Sequence, residues 1–402
     1  MKILFIAPSL PINNGAGHAI RSYHVYTELC GFADVDVLSS NPNGVSYPLA
    51  KEFRENHSYM GHIDIGWKEY FFGFKKRLHR KLKKILNEGC YDYVFIRYYN
   101  TALRLGALKL KNLILDCDDC YMELLVQQNS ELELKKIAKL KKNLSFKFRC
   151  YNYQRNLKKV RKVIFSKQSS QISWRSNFTL VPNKIAYRPF SIPASINKKA
   201  IKENVKILFI GVLNYAPNYE GLYHFVTNIW PRVFDECPQA KLKIVGSGLP
   251  EEYFLKWKND CSIELCGYVH DIENVYKDID IAIAPVYKGS GTHIKVMESL
   301  LRGKTMVISP LAHRGFEDSL LDSEALFVAP SVESYAKCLI NLIKDKEMRI
   351  TMGNIGRKAV IANHTLGECS LKFKEIIYNL SLIEGKRASR TDSQTILAEV
   401  YE

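Results

Sequence analysis

VKILFIG, residues 205–211, repeats almost letter for letter the MKILFIA that opens the chain at residues 1–7. Each is a short apolar run led by one lysine and cut off by strand-breaking residues, PSLPINNGAG after the first and VLNYAPN after the second. Runs this short read as buried strands; a membrane span needs roughly 18 apolar residues, and a signal peptide would not be broken so early. The second run therefore restarts a strand-loop-helix pattern and is not one unit of a fixed-period repeat.

Outward from the first run, a glycine loop at Asn13–Gly17 leads into a helical stretch from about His18 to Cys30. DVDVLSS, YDYVFIRYY, LILDC, KVIFSK and FTLVPN read as further strands separated by helix-like sequence. Outward from the second run, AKLKIVG, CSIELCG, DIDIAIAP, KTMVISP and ALFVAP do the same. Short apolar strands alternating with helices predict parallel sheets covered on both faces. The fold class expected is therefore α/β: two doubly wound, Rossmann-like domains facing a cleft. The boundaries read as 1–195 for the first domain, 196–204 for a linker and 205–365 for the second domain. Residues 366–402 are expected to form a helix packing back towards the first domain, then a frayed tail. A chain of 402 residues is long enough for two cores.

Charge separates the halves. Residues 1–200 hold 34 Lys+Arg and 15 Asp+Glu; the rest hold 24 and 26, and no acid lies between Glu133 and Glu203. The net +17 thus resides in the first half, which points to an anionic partner. FKKRLHRKLKKIL sets Leu78, Leu82, Ile85 and Leu86 at helical spacing under a basic face, and basic residues alternate with Leu, Phe and Tyr from Leu134 to Lys162. Both segments fit basic amphipathic helices on an anionic membrane surface, and both fit solvated faces over a core stripe. No nucleic-acid-binding module is recognisable, so no nucleic-acid partner is expected. With no export signal, the expectation is a cytoplasmic protein with reduced thiols, peripheral on the inner face of the membrane. Cys117 and Cys120 form a lone C-x-x-C without a second pair at ligand spacing, so no metal site is expected there.

KGSGTHIKVMESLLRGKTMVIS, residues 288–309, holds the chemistry of the second half. Gly289 and Gly291 allow backbone N–H groups to approach a ligand, at the start of a helix whose dipole favours an anion. Thr292, Lys295 and Glu298 recur every third residue and share one face; Lys295 can neutralise a diphosphate, and Glu298 can accept from a ribose diol. The bland alternative is a surface Lys–Glu pair. In the first half, His18 follows the glycine loop, while Arg97 and Asp116, Asp118 and Asp119 stand at strand ends where clefts form. The acids can orient an acceptor hydroxyl, act as a base, or simply cap a helix. Arg97 suits an acidic or pyrophosphate-bearing acceptor. His270 and Asp271 read either as ligand contacts or as a helix start.

The second half resembles the donor-binding domain of glycosyltransferase family 4 over roughly residues 205–365. The resemblance rests on ILFIGVLNYAPNYEGLYHFVTNIWP, ECPQAKLKIVGSG, IELCGYVHDIENVYKDIDIAIAPVYKGSGTHIKVMESLLRGKTMVIS and AHRGFE, in that order; the first half resembles the family more diffusely. It implies the GT-B architecture and a nucleotide-sugar substrate in place of any cofactor. Lys295 would contact the diphosphate and Glu298 the ribose. Ser290, Gly291 and Thr292 would offer amides, Gly267, Tyr268 and Val269 would border the base, and Gly15 and Gly17 would face the same cleft. Two positions depart from the family pattern. Ser290 stands where many members have a glutamate, and the segment after Gly211 carries Asn214 and Asn218 where a basic residue is common. Lys295 is then expected to bear the phosphate contact almost alone, helped by Arg314 or His293.

The resemblance further implies transfer of a sugar to a glycan or polyprenyl-linked acceptor in surface-polysaccharide synthesis, with retention and without a metal. The D-x-D triplets, Asp34–Asp36 and Asp278–Asp280, are expected inside buried strands. The residues expected to carry the chemistry are Lys295, Glu298, Asp119 and His18. Two other readings stay open, a nucleotide-sugar epimerase of the same fold and a non-catalytic membrane- or glycan-binding scaffold.

Overall fold

The computed structural model describes residues 1–12, 17–40, 47–63, 65, 75–130, 136–167, 169, 172–181, 204–289, 292–365 and 373–380. The first sheet has seven strands: β1 (Lys2–Ala7), β2 (Asp34–Ser39), β3 (Tyr59–His62), β4 (Tyr93–Arg97), β5 (Leu113–Asp118), β6 (Lys162–Phe165) and β7 (Phe178–Leu180). Their order is β3-β2-β1-β4-β5-β6-β7, and every pairing is parallel. The second sheet has six: β8 (Lys206–Ile210), β9 (Lys241–Val245), β10 (Ile263–Gly267), β11 (Ile281–Ala284), β12 (Thr305–Ile308) and β13 (Phe327–Val328), in the order β10-β9-β8-β11-β12-β13, again all parallel. The two echoing segments are thus the matching central strands of two doubly wound sheets. In each sheet the winding reverses beside that strand, between β1 and β4 and between β8 and β11, and ligand crevices open beyond the carboxyl ends at such points.

Burial on both sheet faces explains why the strands are runs and not alternations. Ile3, Leu4, Phe5 and Ile6 are fully buried, as are Ile207, Leu208 and Phe209. Alternate residues of β1 enter opposite cores: Leu4 and Ile6 pack with Leu78, Leu82 and Tyr153, while Ile3 and Phe5 pack with Val25, Tyr26 and Phe95. Phe373, Ile376, Ile377 and Leu380 join that second core, and Arg161 donates to the Leu380 carbonyl at 3.0 Å.

The two basic segments part company. In the helix Lys75–Gly89 the apolar stripe is already used, with Leu78 and Leu82 buried and Ile85 and Leu86 packed against the same core. The expectation that this stripe enters a membrane interface is therefore corrected; it closes the first domain. The long helix Lys136–Leu157 buries Cys150, Tyr153 and Leu157 but leaves Leu144, Phe148 and Tyr151 60%, 67% and 62% exposed. Among the described residues no helix is long and apolar enough to cross a membrane.

One acidic triplet also lies elsewhere than expected. Asp278 ends the helix Ile272–Asp278, ahead of β11, where Lys206 and Lys243 reach it at 2.7 and 3.1 Å. Asp34 and Asp36 do lie in β2; Asp36 is buried and accepts from Tyr91 at 2.6 Å.

Candidate active site

At the switch point of the second sheet, the loop after β8 and the loop after β11 diverge. The first leaves β8 through Gly211, whose N–H donates to Val245 O at 3.0 Å, and enters the helix Ala216–His224 with Pro217 in its first turn. Asn218 in that turn donates its amide to Val212 O at 2.9 Å, so its carbonyl oxygen is left for Lys295 Nζ, also at 2.9 Å. A Cβ at Gly211 would stand 3.0 Å from both Lys295 Nζ and Asn218 Nδ2, so a side chain there would press on this contact. Lys295 lies in the first turn of the helix Ile294–Leu301, with its ammonium 4.6 Å from the centre of the Phe209 ring.

Burial pushes the Lys295 ammonium down to about 8, against the pull of Glu298 one turn on. Among the described residues it has no ion-pair partner. Glu298 is pushed up by burial despite Arg302, whose guanidinium is committed to Glu273 with Nε 3.2 Å from each of its carboxylate oxygens. His293, at the helix cap, is held down to about 3 by burial, Lys295, Lys167 and Arg314, so its ring is neutral. Its Nε2 and the Thr292 hydroxyl are buried without a hydrogen-bond partner among the described residues. A partly buried cation, two unsatisfied polar groups and a helix N-terminus thus come together, an arrangement that selects for a polyvalent anion such as phosphate.

The other expected donor residues fall around this centre. Gly267 ends β10 with φ +65°, and nothing lies within 4 Å of where its Cβ would be. Tyr268 is exposed and stands edge-on to His270, while Val269 packs partly into the second domain. This edge lies two strands from β8, roughly 10 Å away. Asn214 is exposed beside Gly248. Asp271 caps the helix Ile272–Asp278, accepting from Glu273 N at 2.9 Å and Asn274 N at 3.3 Å, which is the helix-start reading. Gly17 begins the helix Gly17–Cys30. Gly15, Ser290, Gly291 and the side chain of His18 lie outside the described residues.

The strand ends of the first domain hold a different arrangement. Arg97 at the end of β4 is wholly buried and reaches Asp116 at 2.7 Å and Asp118 at 3.2 Å. Arg21 closes the network on Asp116 at 3.0 Å and Asp118 at 3.4 Å. The two guanidinium groups hold the Asp116 carboxyl at about 2 despite its burial. The expectation that Arg97 meets an acceptor is corrected: its charge is spent inside the domain. The same holds for Asp116 and Asp118 as acceptor-facing acids, since both carboxylates are engaged by the two guanidinium groups. Asp119, the next acid along, is close enough to Tyr215 of the second domain to raise its phenol together with burial. Cys117 and Cys120 are both free thiols, buried, with burial pushing each up.

Sequence alone did not single out Glu123 and Lys167. Glu123 follows β5 in the helix Tyr121–Ser130; it is 4% exposed, with Lys167 of the first domain at 3.5 Å and Arg314 of the second at 2.8 Å. A lysine just past a strand end was the available signal for Lys167, the same signal that drew attention to Arg97. Glu123 carried none, since an acid in a first helical turn is ordinary.

Residues 204–345 match the family model for Glycosyl transferases group 1. A Klebsiella pneumoniae protein described as "Uncharacterized 44.6 kDa protein in cps region" is 24% identical over 291 residues, covering 68% of this chain and 71% of its own. Among solved structures, the sucrose-phosphate synthase of Thermosynechococcus elongatus superposes with a TM-score of 0.70 at 13% identity, over 95% of this chain and 99% of its own. HepE of Anabaena, solved with UDP and glucose, gives 0.65 at 14% identity over 94% and 99%. The second domain thus matches the Glycosyl transferases group 1 model, and the chain as a whole has the two-domain GT-B fold of these solved structures.

Proposed function

We propose that the chain transfers a sugar from a nucleotide-sugar donor to a glycan or polyprenyl-linked acceptor in surface-polysaccharide assembly, with retention at the anomeric carbon and without a metal or other cofactor. The observation that carries this reading is Lys295, a partly buried cation held by Asn218 at 2.9 Å with no acid paired to it among the described residues. A charge in that state awaits an anion. When the bond from the anomeric carbon to the diphosphate breaks, negative charge develops on the leaving oxygens. Lys295, the Thr292 hydroxyl and the helix amides stabilise it, which is the most effective place for preorganised charge. Glu298, one turn on, takes the ribose hydroxyls, and Gly267, Tyr268 and Val269 border the base. The acceptor comes from the first domain, with Asp119 as the group that orients its hydroxyl or takes its proton.

The cps-region relative supports the polysaccharide setting, and the UDP and glucose bound to HepE support a nucleotide-sugar donor. The exposed Leu144, Phe148 and Tyr151, flanked by Lys147, Arg149, Arg155, Lys158 and Lys159, support a cytoplasmic enzyme peripheral on the inner face of an anionic membrane. The test is release of nucleoside diphosphate from UDP-, GDP-, dTDP- and ADP-sugars, with and without lipid-linked acceptor. Release from one donor is expected, raised by acceptor. An isomerised donor without release would favour the epimerase, and nucleotide binding without turnover of any donor would favour the scaffold.

A further inference from the structure

Three cations meet at the tip of the helix Ile294–Leu301, and they come from both domains. Lys295 is one. Arg314 stands beside the tip, since a Cβ on its neighbour Gly315 would lie 3.6 Å from Thr292 Oγ1 and equally 3.6 Å from Lys167 Cβ. Gly315 has φ +89°, so the turn that carries Arg314 is wedged between the first domain and the donor helix. Lys167 is the third, 6% exposed. All three depress His293, which shows that their fields overlap at one place.

Among the described residues, the carboxylate paired with Arg314 and Lys167 is that of Glu123. The pairing is one of charge and not of well-made hydrogen bonds: both Glu123 oxygens are buried without hydrogen-bond geometry to any donor among the described residues. A carboxylate with two oxygens is spread between cations on two domains and satisfies neither fully. A phosphate group, with more oxygens and more charge, fits such a set better.

We propose that Lys167 and Arg314 form a phosphate subsite that spans the two domains, and that Glu123 stands in for the phosphate while the cleft is empty. The inference rests on the donor reading above for its neighbour Lys295. The phosphate comes either from the donor or from a phosphate-bearing acceptor. On its arrival Arg314 and Lys167 turn from Glu123 to the ligand, so Glu123 is a competitor that the ligand displaces. Neutralising it removes the competition and leaves the cations in place.

The experiment is calorimetric titration of the full chain with inorganic pyrophosphate and with UDP. Wild type is compared with Glu123→Gln, Arg314→Gln, Lys167→Met and Lys295→Ala. Glu123→Gln is expected to bind pyrophosphate roughly fivefold or more tightly than wild type, and Arg314→Gln and Lys167→Met to lose a similar factor. The thermal midpoint of Glu123→Gln should fall without ligand, because buried Lys167 and partly buried Arg314 lose their partner, and recover with pyrophosphate. Pyrophosphate that competes with UDP assigns the subsite to the donor; pyrophosphate that binds on top of saturating UDP assigns it to the acceptor. Either supports the subsite. Unchanged or weaker binding by folded Glu123→Gln, with Lys295→Ala losing UDP, would overturn the subsite and leave the donor reading standing. UDP binding that survives Lys295→Ala but fails in Arg314→Gln would overturn the donor reading and keep the subsite.

Discussion

The two domains carry the same sheet order, and each gathers charge at its strand ends beside the switch point, yet the charges are in opposite states. In the first domain Arg21 and Arg97 face Asp116 and Asp118, and every charge is answered within hydrogen-bond or ion-pair distance. In the second, Lys295 is partly buried with an amide for company and no carboxylate paired to it among the described residues. Like fold and like position therefore do not mean like role. The first network is self-neutralised and fixes two strand ends, including Tyr98 and Asp118 at φ 70° and 58°, a left-handed strain of about 1–3 kcal/mol each that only a firmly held surrounding sustains. The second is left unneutralised because a ligand completes it.

The sharpest way to break this comparison is to unbalance the first network. Asp116→Asn leaves two buried guanidinium groups short of a charge and should cost about 3–5 kcal/mol of stability in urea unfolding. A loss under 1 kcal/mol would mean that the network is not structural. Next in size, Lys295→Ala should lower turnover by roughly 2–4 kcal/mol in barrier, while stability stays level or rises because a partly desolvated charge has gone. A destabilised but active Lys295→Ala would reverse the roles assigned to the two regions.

The two regions should also answer pH in different windows, with stability rising with pH in each. Asp116 has its pKa lowered on folding, so its stabilisation is full above the unfolded value of 3.8 and is lost as pH falls towards about 2. Lys295 has its pKa lowered from 10.5 to about 8, so between those values the unfolded chain binds the extra proton and stability gains as pH rises. Over the same interval the free site loses its cation, and affinity for a nucleoside diphosphate should weaken above pH 8. Nucleotide binding flat from pH 7 to 10 would remove Lys295 from the phosphate site. The smallest effect expected is at Asp271. As a helix cap, its replacement by alanine should cost about 1 kcal/mol and leave nucleotide affinity unchanged.

Much of this was legible in the residues. Strands buried on both faces show as apolar runs, and the echo of residues 1–7 at 205–211 located the second domain. The strand Tyr59–His62 was not legible: it is an edge strand with partly exposed residues and no apolar run. Lys295, Thr292 and His293 were legible because one loop and one helix turn bring them together. Arg97 was read as a cleft residue because its partners Asp116 and Asp118 lie on the neighbouring strand, 19 and 21 positions on, and spacing along the chain does not reveal that pairing. The stripe Leu78–Leu86 misled for another reason: helical periodicity is the same whether the apolar face meets a core or a membrane. Arg314 stood out as a helper of Lys295, but its pairing and that of Lys167 with Glu123 join two domains and were beyond reach of any local pattern.

The central claim is that Lys295 is the cation awaiting the donor's diphosphate. It is tested most directly by calorimetric titration of wild type and Lys295→Ala with UDP, GDP, dTDP and ADP. The account predicts that one of the four binds wild type and that this binding is lost in the variant with the fold intact. Equal affinity in the two proteins would contradict it.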